Sequence, residues 1–297
     1  MTAENHQSGR IRGAGPSGGS GARNLTLRTL SAVVLAPVVL FLTYADGWLF
    51  LALCAVAAGG ILWEWMHLIA DRGGPRVLAV GLAALLAAFA LIGADRPGAA
   101  VSAIAAGAVL AGAVGAWSLG AAMRNGGLWA AGGVAYAGIA FLGPALLRRD
   151  PQWGFMGLLF LFATVWATDI FAFFCGRAVG GPLLLPSVSP NKTWAGAIGG
   201  LAGGIAAAVA VAYASGVRFA AAAGLMGLLL SILAQAGDLF ESAVKRRFGA
   251  KDASRLIPGH GGLMDRLDGF LVAAFAALLI GIARQGMDAP ARGFLLW

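Results

Sequence analysis

Charged residues are scarce: Asp, Glu, Lys and Arg make up 11% of the 297 residues, against 59% hydrophobic ones. So little polar surface cannot cover a soluble globule of this length, which excludes a water-soluble fold and leaves the lipid bilayer as the natural solvent. Cysteine is nearly missing as well. Only Cys54 and Cys175 occur, both inside apolar runs, so a disulfide framework is excluded and two free thiols are expected. The first 27 residues lack the compact pattern and small-residue cleavage site of a signal peptide. The first apolar run is therefore expected to be a retained span, with the mature chain starting in the cytoplasm.

Long apolar runs are what the chain has in abundance. Nine recur, near residues 28–45, 48–68, 76–94, 99–121, 128–147, 154–175, 195–215, 218–240 and 268–284. Each is long enough to cross a hydrocarbon core of roughly 30 Å as a helix. The expected fold is an all-α, polytopic transmembrane protein of about nine spans. It divides into a disordered, basic, Gly/Ser-rich cytoplasmic tail over 1–27, N-terminal transmembrane helices over 28–150 and a C-terminal transmembrane catalytic region over 151–297.

The net charge of +8 does not call for nucleic acid once the basic residues are placed. With a cytoplasmic N-terminus, 15 of the 21 Lys and Arg residues fall on the inner side, the bias expected of cytoplasmic loops. Beside a membrane such loops meet anionic lipid headgroups. Arg148 and Arg149 dissent from this pattern, on the outer side.

Polar residues gather in two segments on the inner side. Six of the 13 carboxylates lie there: Asp169, Asp238, Glu241, Asp252, Asp265 and Asp268. Asp169 sits in an apolar run, where an ionisable group needs a cavity, a metal or a partner; it belongs either to a site or to a structural pair with Arg177. Asp238, Glu241, Ser242 and Lys245 fall at helical offsets that share one stripe. A solvated face with i,i+4 ion pairs is the plain alternative, weakened because the stripe emerges from a span. Pro258, Gly259, His260, Gly261 and Gly262 can bring backbone amides close to a ligand, as in a phosphate cradle. Asp265, Arg266 and Asp268 then open the last span. Carboxylates suited to a hard cation beside cations suited to phosphate point to phosphoryl or nucleotidyl transfer.

The segment from Ser242 to Asp268 resembles the signature of the phosphatidate cytidylyltransferase (CDP-diacylglycerol synthase) family. Ser242, Lys245, Arg246, Lys251, Asp252, Pro258, Gly259, His260, Gly261, Gly262, Asp265, Arg266 and Asp268 fill it without a gap. Gly176, Arg177, Ser189, Pro190, Lys192 and Thr193 resemble the family's second block; Asn191 and Ala195 depart from its usual lysine and acidic residue.

The resemblance implies transfer of CMP from CTP to phosphatidic acid, giving CDP-diacylglycerol and pyrophosphate. It implies Mg²⁺, allows a second, monovalent cation such as K⁺, and implies a homodimer in a bacterial-type inner membrane with the active-site loops cytoplasmic. Asp238 and Asp265 are its principal metal ligands, with Asp268 and Asp169 as secondary ones. Lys245, Arg246, Lys251 and Arg266 would neutralise phosphate, as would Lys192, and His260 would bond the departing pyrophosphate or brace the Pro-Gly turn. Arg177, Ser189, Lys192, Thr193, Ser242, Gly261 and Gly262 are its substrate-binding candidates. The alternatives are a CTP-dependent polyprenol or lipid kinase and a membrane transporter.

Other features read as structural. Gly196, Gly200 and Gly204, spaced by four, are expected to pack two spans closely. Trp63, Trp65 and Trp129 read as interfacial anchors. Glu64 and His67, one turn apart near the end of a span, either belong to the site or sit at the headgroup level, and the second reading is favoured.

Overall fold

In the computed structural model the described residues are 33–45, 47–70, 74–119, 123, 125–216, 220–254, 256 and 261–297. The expected tail over 1–27 lies outside them, as do Arg72, Arg124, Arg255 and the run Ile257, Pro258, Gly259, His260.

Apolar runs become helices in a bilayer because only an internal hydrogen-bond ladder satisfies their backbone there. Ten helices are described: α1 Val33–Ala45, α2 Gly47–Ile69, α3 Pro75–Gly93, α4 Pro97–Leu119, α5 Gly126–Arg148, α6 Gly154–Val179, α7 Trp194–Ala214, α8 Ala220–Arg247, α9 Met264–Gln285 and α10 Pro290–Leu295. Among the described residues, the eight from α2 to α9 are long and apolar enough to cross a membrane. The expected first span appears as α1, whose upstream residues 28–32 lie outside the described set. The fold is thus a polytopic helical bundle.

Between α6 and α7 the chain forms an antiparallel pair of short strands, β1 Leu183–Leu185 and β2 Ser189–Thr193. Gly180 and Gly181, with φ of 65° and 92°, end α6, and Pro182, Pro186 and Pro190 block any resumption of helix. The hairpin closes on a new N-cap, where Thr193 Oγ1 accepts from Gly196 N at 3.1 Å to start α7.

Neighbouring helices pack in chain order, α6 on α7, α7 on α8 and α8 on α9, while α2 to α5 form a second group that meets the first where α5 lies along α9. The α6–α7 seam brings two backbones close together. A Cβ on Gly196 would stand 2.8 Å from Ala172 O, and one on Gly200 would stand 2.9 Å from Thr168 O. One on Gly204 would collide with Ser231 Oγ and Thr168 Oγ1. The glycine spacing therefore serves backbone approach, as expected, and the two hydroxyls beneath Gly204 bond each other at 2.8 Å.

At the end of the bundle away from the hairpin, Arg148 Nε donates to Thr43 O at 2.5 Å and Arg149 pairs with Asp95. The two arginines that disturbed the charge bias are thus engaged locally. Asp150 accepts from Trp153 N at 3.0 Å and from Arg292 N at 3.0 Å, pinning α10 beneath α6. Trp65 departs from expectation: it is 3% exposed and donates to Trp129 O at 2.9 Å, so it is a core residue rather than an interfacial anchor.

Gly204→Ala is expected to lower the thermal unfolding temperature of the detergent-solubilised protein, by an overpacking penalty of about 1–3 kcal/mol. Gly98→Ala, where nothing lies within 4 Å of the added methyl, serves as the neutral comparison.

Candidate active site

α8 runs unbroken past the apolar region to Arg247, so its polar stripe is rigidly projected at the hairpin end of the bundle. Asp238, Glu241, Ser242 and Lys245 share that stripe, and α9 brings Asp265 and Asp268 against it. Oxygens of Asp238, Glu241 and Asp268 all lie within 4.8 Å of one another. Glu241 is 2% exposed. Its Oε2 stands 2.8 Å from Lys245 Nζ, an ion-pair contact without hydrogen-bond geometry, and its Oε1 meets no donor. A buried carboxylate so poorly satisfied is costly unless another cation completes it. Three carboxylates at this spacing could hold a hard divalent ion such as Mg²⁺, one or two of them as ligands beside a phosphate.

Lys245 divides the acids into two groups. On one side stands Glu241; on the other its Nζ donates to Asp265 Oδ1 at 2.6 Å. Asp265 also accepts at Oδ2 from Gly262 N at 2.7 Å and Ala253 N at 3.0 Å. The carboxylate expected as a principal ligand is therefore placed here as the anchor of the loop before α9. Gly261 must be glycine for two reasons, its φ of 86° and an Asp265 Oδ2 that would lie 2.9 Å from any Cβ.

Asp238 reaches outward instead. It pairs with Lys192 of β2, and Ser242 Oγ lies 3.5 Å from its Oδ1. The hairpin is tied to α8 a second time by Arg246, whose Nε donates to Val188 O at 3.4 Å. Asp169, exposed on α6, has Asp238, Lys192 and Arg266 as its charged neighbours. It is thus grouped with the acid cluster, while Arg177 is exposed at the end of α6. Ser189 begins β2, and Thr193 is used as the cap of α7. Lys251 and Asp252 are exposed beyond α8, and Arg266 is exposed on the first turn of α9. His260 lies outside the described residues.

Glu64 was expected at the headgroup level and is instead fully buried, with 0% exposure. Its carboxylate accepts from Ser254 Oγ at 2.6 Å, Leu263 N at 2.7 Å and Met264 N at 2.6 Å. An acid from α2 thus caps α9 and holds the far end of the loop, where the first amides of a helix lack partners and favour negative charge. Gly262 is pressed against it, since a Cβ there would lie 2.8 Å from Glu64 Oε1. The criterion applied to Asp169, an ionisable group in an apolar run, was available for Glu64 too. His67 is exposed on the surface of α2, its Nδ1 2.9 Å from Trp63 O.

A family model described as "Cytidylyltransferase family" matches residues 26–282. A phosphatidate cytidylyltransferase of Brucella suis biovar 1 is 43% identical over 272 residues, covering 91% of this chain and 98% of that protein. One of Brucella abortus biovar 1 is 44% identical over 259 residues, with 87% and 93% covered. One of Haemophilus influenzae is 43% identical over 129 residues, or 42% of this chain and 45% of that protein.

Glu64→Ala leaves three donors unmet, each worth about 1–3 kcal/mol when buried. Hydrogen–deuterium exchange is expected to accelerate in residues 253–264, with little change in α6 and α7. Unchanged exchange there would contradict the capping role.

Proposed function

The chain belongs to the cytidylyltransferase family, and on that premise we propose how its acid cluster and basic neighbours carry the reaction. It is a multi-pass membrane enzyme that transfers CMP from CTP to phosphatidate, giving CDP-diacylglycerol and pyrophosphate. The observation that carries the proposed site is the meeting of Asp238, Glu241 and Asp268 beside Lys245.

In the transfer, an oxygen of the phosphatidate phosphate attacks the α-phosphorus of CTP. The bond from that phosphorus to the bridging β-oxygen breaks, and its electron pair leaves with pyrophosphate. The attacking phosphate is already mostly ionised near neutral pH, so the protein contributes positioning and charge neutralisation more than proton abstraction. Asp238, Glu241 and Asp268 would hold Mg²⁺, with Asp169 beside them. When bound, the ion supplies neutralisation of the polyphosphate charge. Asp265, held by Lys245 and the loop amides, would serve as a further ligand if Lys245 were drawn to a phosphate. The negative charge of these carboxylates would also favour a monovalent cation such as K⁺.

Lys192 is paired with Asp238, and Lys245 with Glu241 and Asp265. Both are held where an arriving phosphate can exchange for a carboxylate. Lys251, Arg246 and Arg266 extend the positive rim, with Arg177, Ser189, Thr193 and Ser242 as further polar contacts. Gly261 and Gly262, packed against Asp265 and Glu64, would bring backbone close to the ligand. His260, adjacent to Gly261, is assigned to the departing pyrophosphate.

The site is assigned to the cytoplasmic face, where CTP is available, and the N-terminus to the same side. The basic-residue bias supports both. The homodimer is carried from the family resemblance and is open to light scattering on the solubilised protein.

CTP labelled at the α-phosphate should place label in lipid, whereas label at the γ-phosphate should leave as pyrophosphate. Label from the γ position in lipid would instead identify a lipid kinase, and solute uptake by liposomes without CDP-lipid formation would identify a transporter. Asp238→Asn and Asp265→Asn are each expected to lower kcat by about 10²–10³, and full activity in both would refute the ligand assignment. Chelation of Mg²⁺ by EDTA should abolish turnover, with recovery on readdition.

A further inference from the structure

Tyr136 lies on α5, outside every group assigned above. Its ring packs against Trp65 of α2, with centroids 5.4 Å apart, and faces Phe240 of α8 at 6.1 Å. The hydroxyl at the end of this aromatic wall is buried and has no hydrogen-bond partner among the described residues. Its charged neighbours are Asp268 and Glu241, two of the three clustered carboxylates.

A buried phenol without a partner has given up water for nothing, and folded chains retain few such groups. A missing ligand is one physical reason to retain it. The hydroxyl offers a neutral donor from an apolar wall, so it can bond an anionic oxygen without adding to the positive charge already present. Bonding either carboxylate directly would satisfy it, yet neither is bonded. Phosphate is the oxygen-bearing group that the reaction brings to these acids.

We propose that Tyr136 is a substrate-contacting residue whose hydroxyl donates to a phosphate oxygen bound at the acid cluster, an inference that rests on the cytidylyl-transfer reading. Nucleotide and lipid both carry that chemistry, and the aromatic wall suits either.

The test uses the full chain in mixed micelles of detergent and lipid, comparing wild type, Tyr136→Phe and, as a control, Tyr213→Phe, whose side chain is 85% exposed on α7. Removing an unpartnered hydroxyl is expected to leave the unfolding temperature unchanged or raised. The KM for one phosphate substrate is expected to rise roughly tenfold, the effect of one charge-assisted hydrogen bond. A rise confined to phosphatidate assigns the lipid phosphate. A rise for CTP, with weaker CTP binding by calorimetry in Mg²⁺, assigns the nucleotide. Wild-type KM values for both substrates together with wild-type CTP affinity overturn the proposal. So does a lower unfolding temperature with reduced kcat at constant KM, which marks a packing role. Should the wild type form no CDP-lipid, the reaction itself is misread; a CTP-binding deficit in Tyr136→Phe would still uphold the nucleotide contact, and its absence would sink both.

Discussion

A single ammonium, Lys245 Nζ, stands between carboxylates from two helices, and the polar end of the bundle is built around it. It lies 2.8 Å from Glu241 on its own helix and 2.6 Å from Asp265 on the next. Gathering so many acids where α8 and α9 leave the apolar region is unfavourable unless cations are interleaved with them. Lys245 and Lys192 supply that charge from the protein side, one from within α8 and one from the hairpin. Under the proposed function both would give way to a metal or turn to a phosphate, because an ion pair made to an ammonium on a long side chain is reversible in a way that a packed apolar contact is not.

The supports of this arrangement are stiff. The α6–α7 seam lets backbones touch at Gly196 and Gly200, which fixes the base of the hairpin carrying Lys192. α8 carries Asp238 to Lys245 on one continuous helix, so the spacing along the stripe is set by helix geometry alone. α9 is held at its first turn by Glu64 and Asp265. Rigid elements thus surround polar groups that still have unfilled bonding capacity, at Glu241 and at Tyr136.

Much of this was legible in the chain. Span length and apolar content mark eight of the helices because a bilayer admits little else, and the 3.6-residue period is enough to place Asp238, Glu241 and Lys245 on one face. The hairpin was not legible: three- and five-residue strands are too short for an alternation to register, and its prolines read simply as loop. Nor was the division of labour among the acids. Asp265 and Asp268 differ by three positions in sequence, yet one anchors a loop and the other faces the cluster, a distinction set by which amides lie nearby. Trp65 was misplaced because an indole N–H can be satisfied by a carbonyl of another helix as well as by the interface. Glu64 makes its bonds across 190 to 200 residues, and no local period reports such a contact.

That reach has a consequence for biosynthesis. α2 leaves the ribosome long before Ser254, Leu263 and Met264, so the carboxylate that caps α9 is made well before its partners. The start of α9 thus takes its capping acid from a helix made earlier. The first half of the chain then acts on the second as an internal template, and the order of translation becomes part of how the site is assembled.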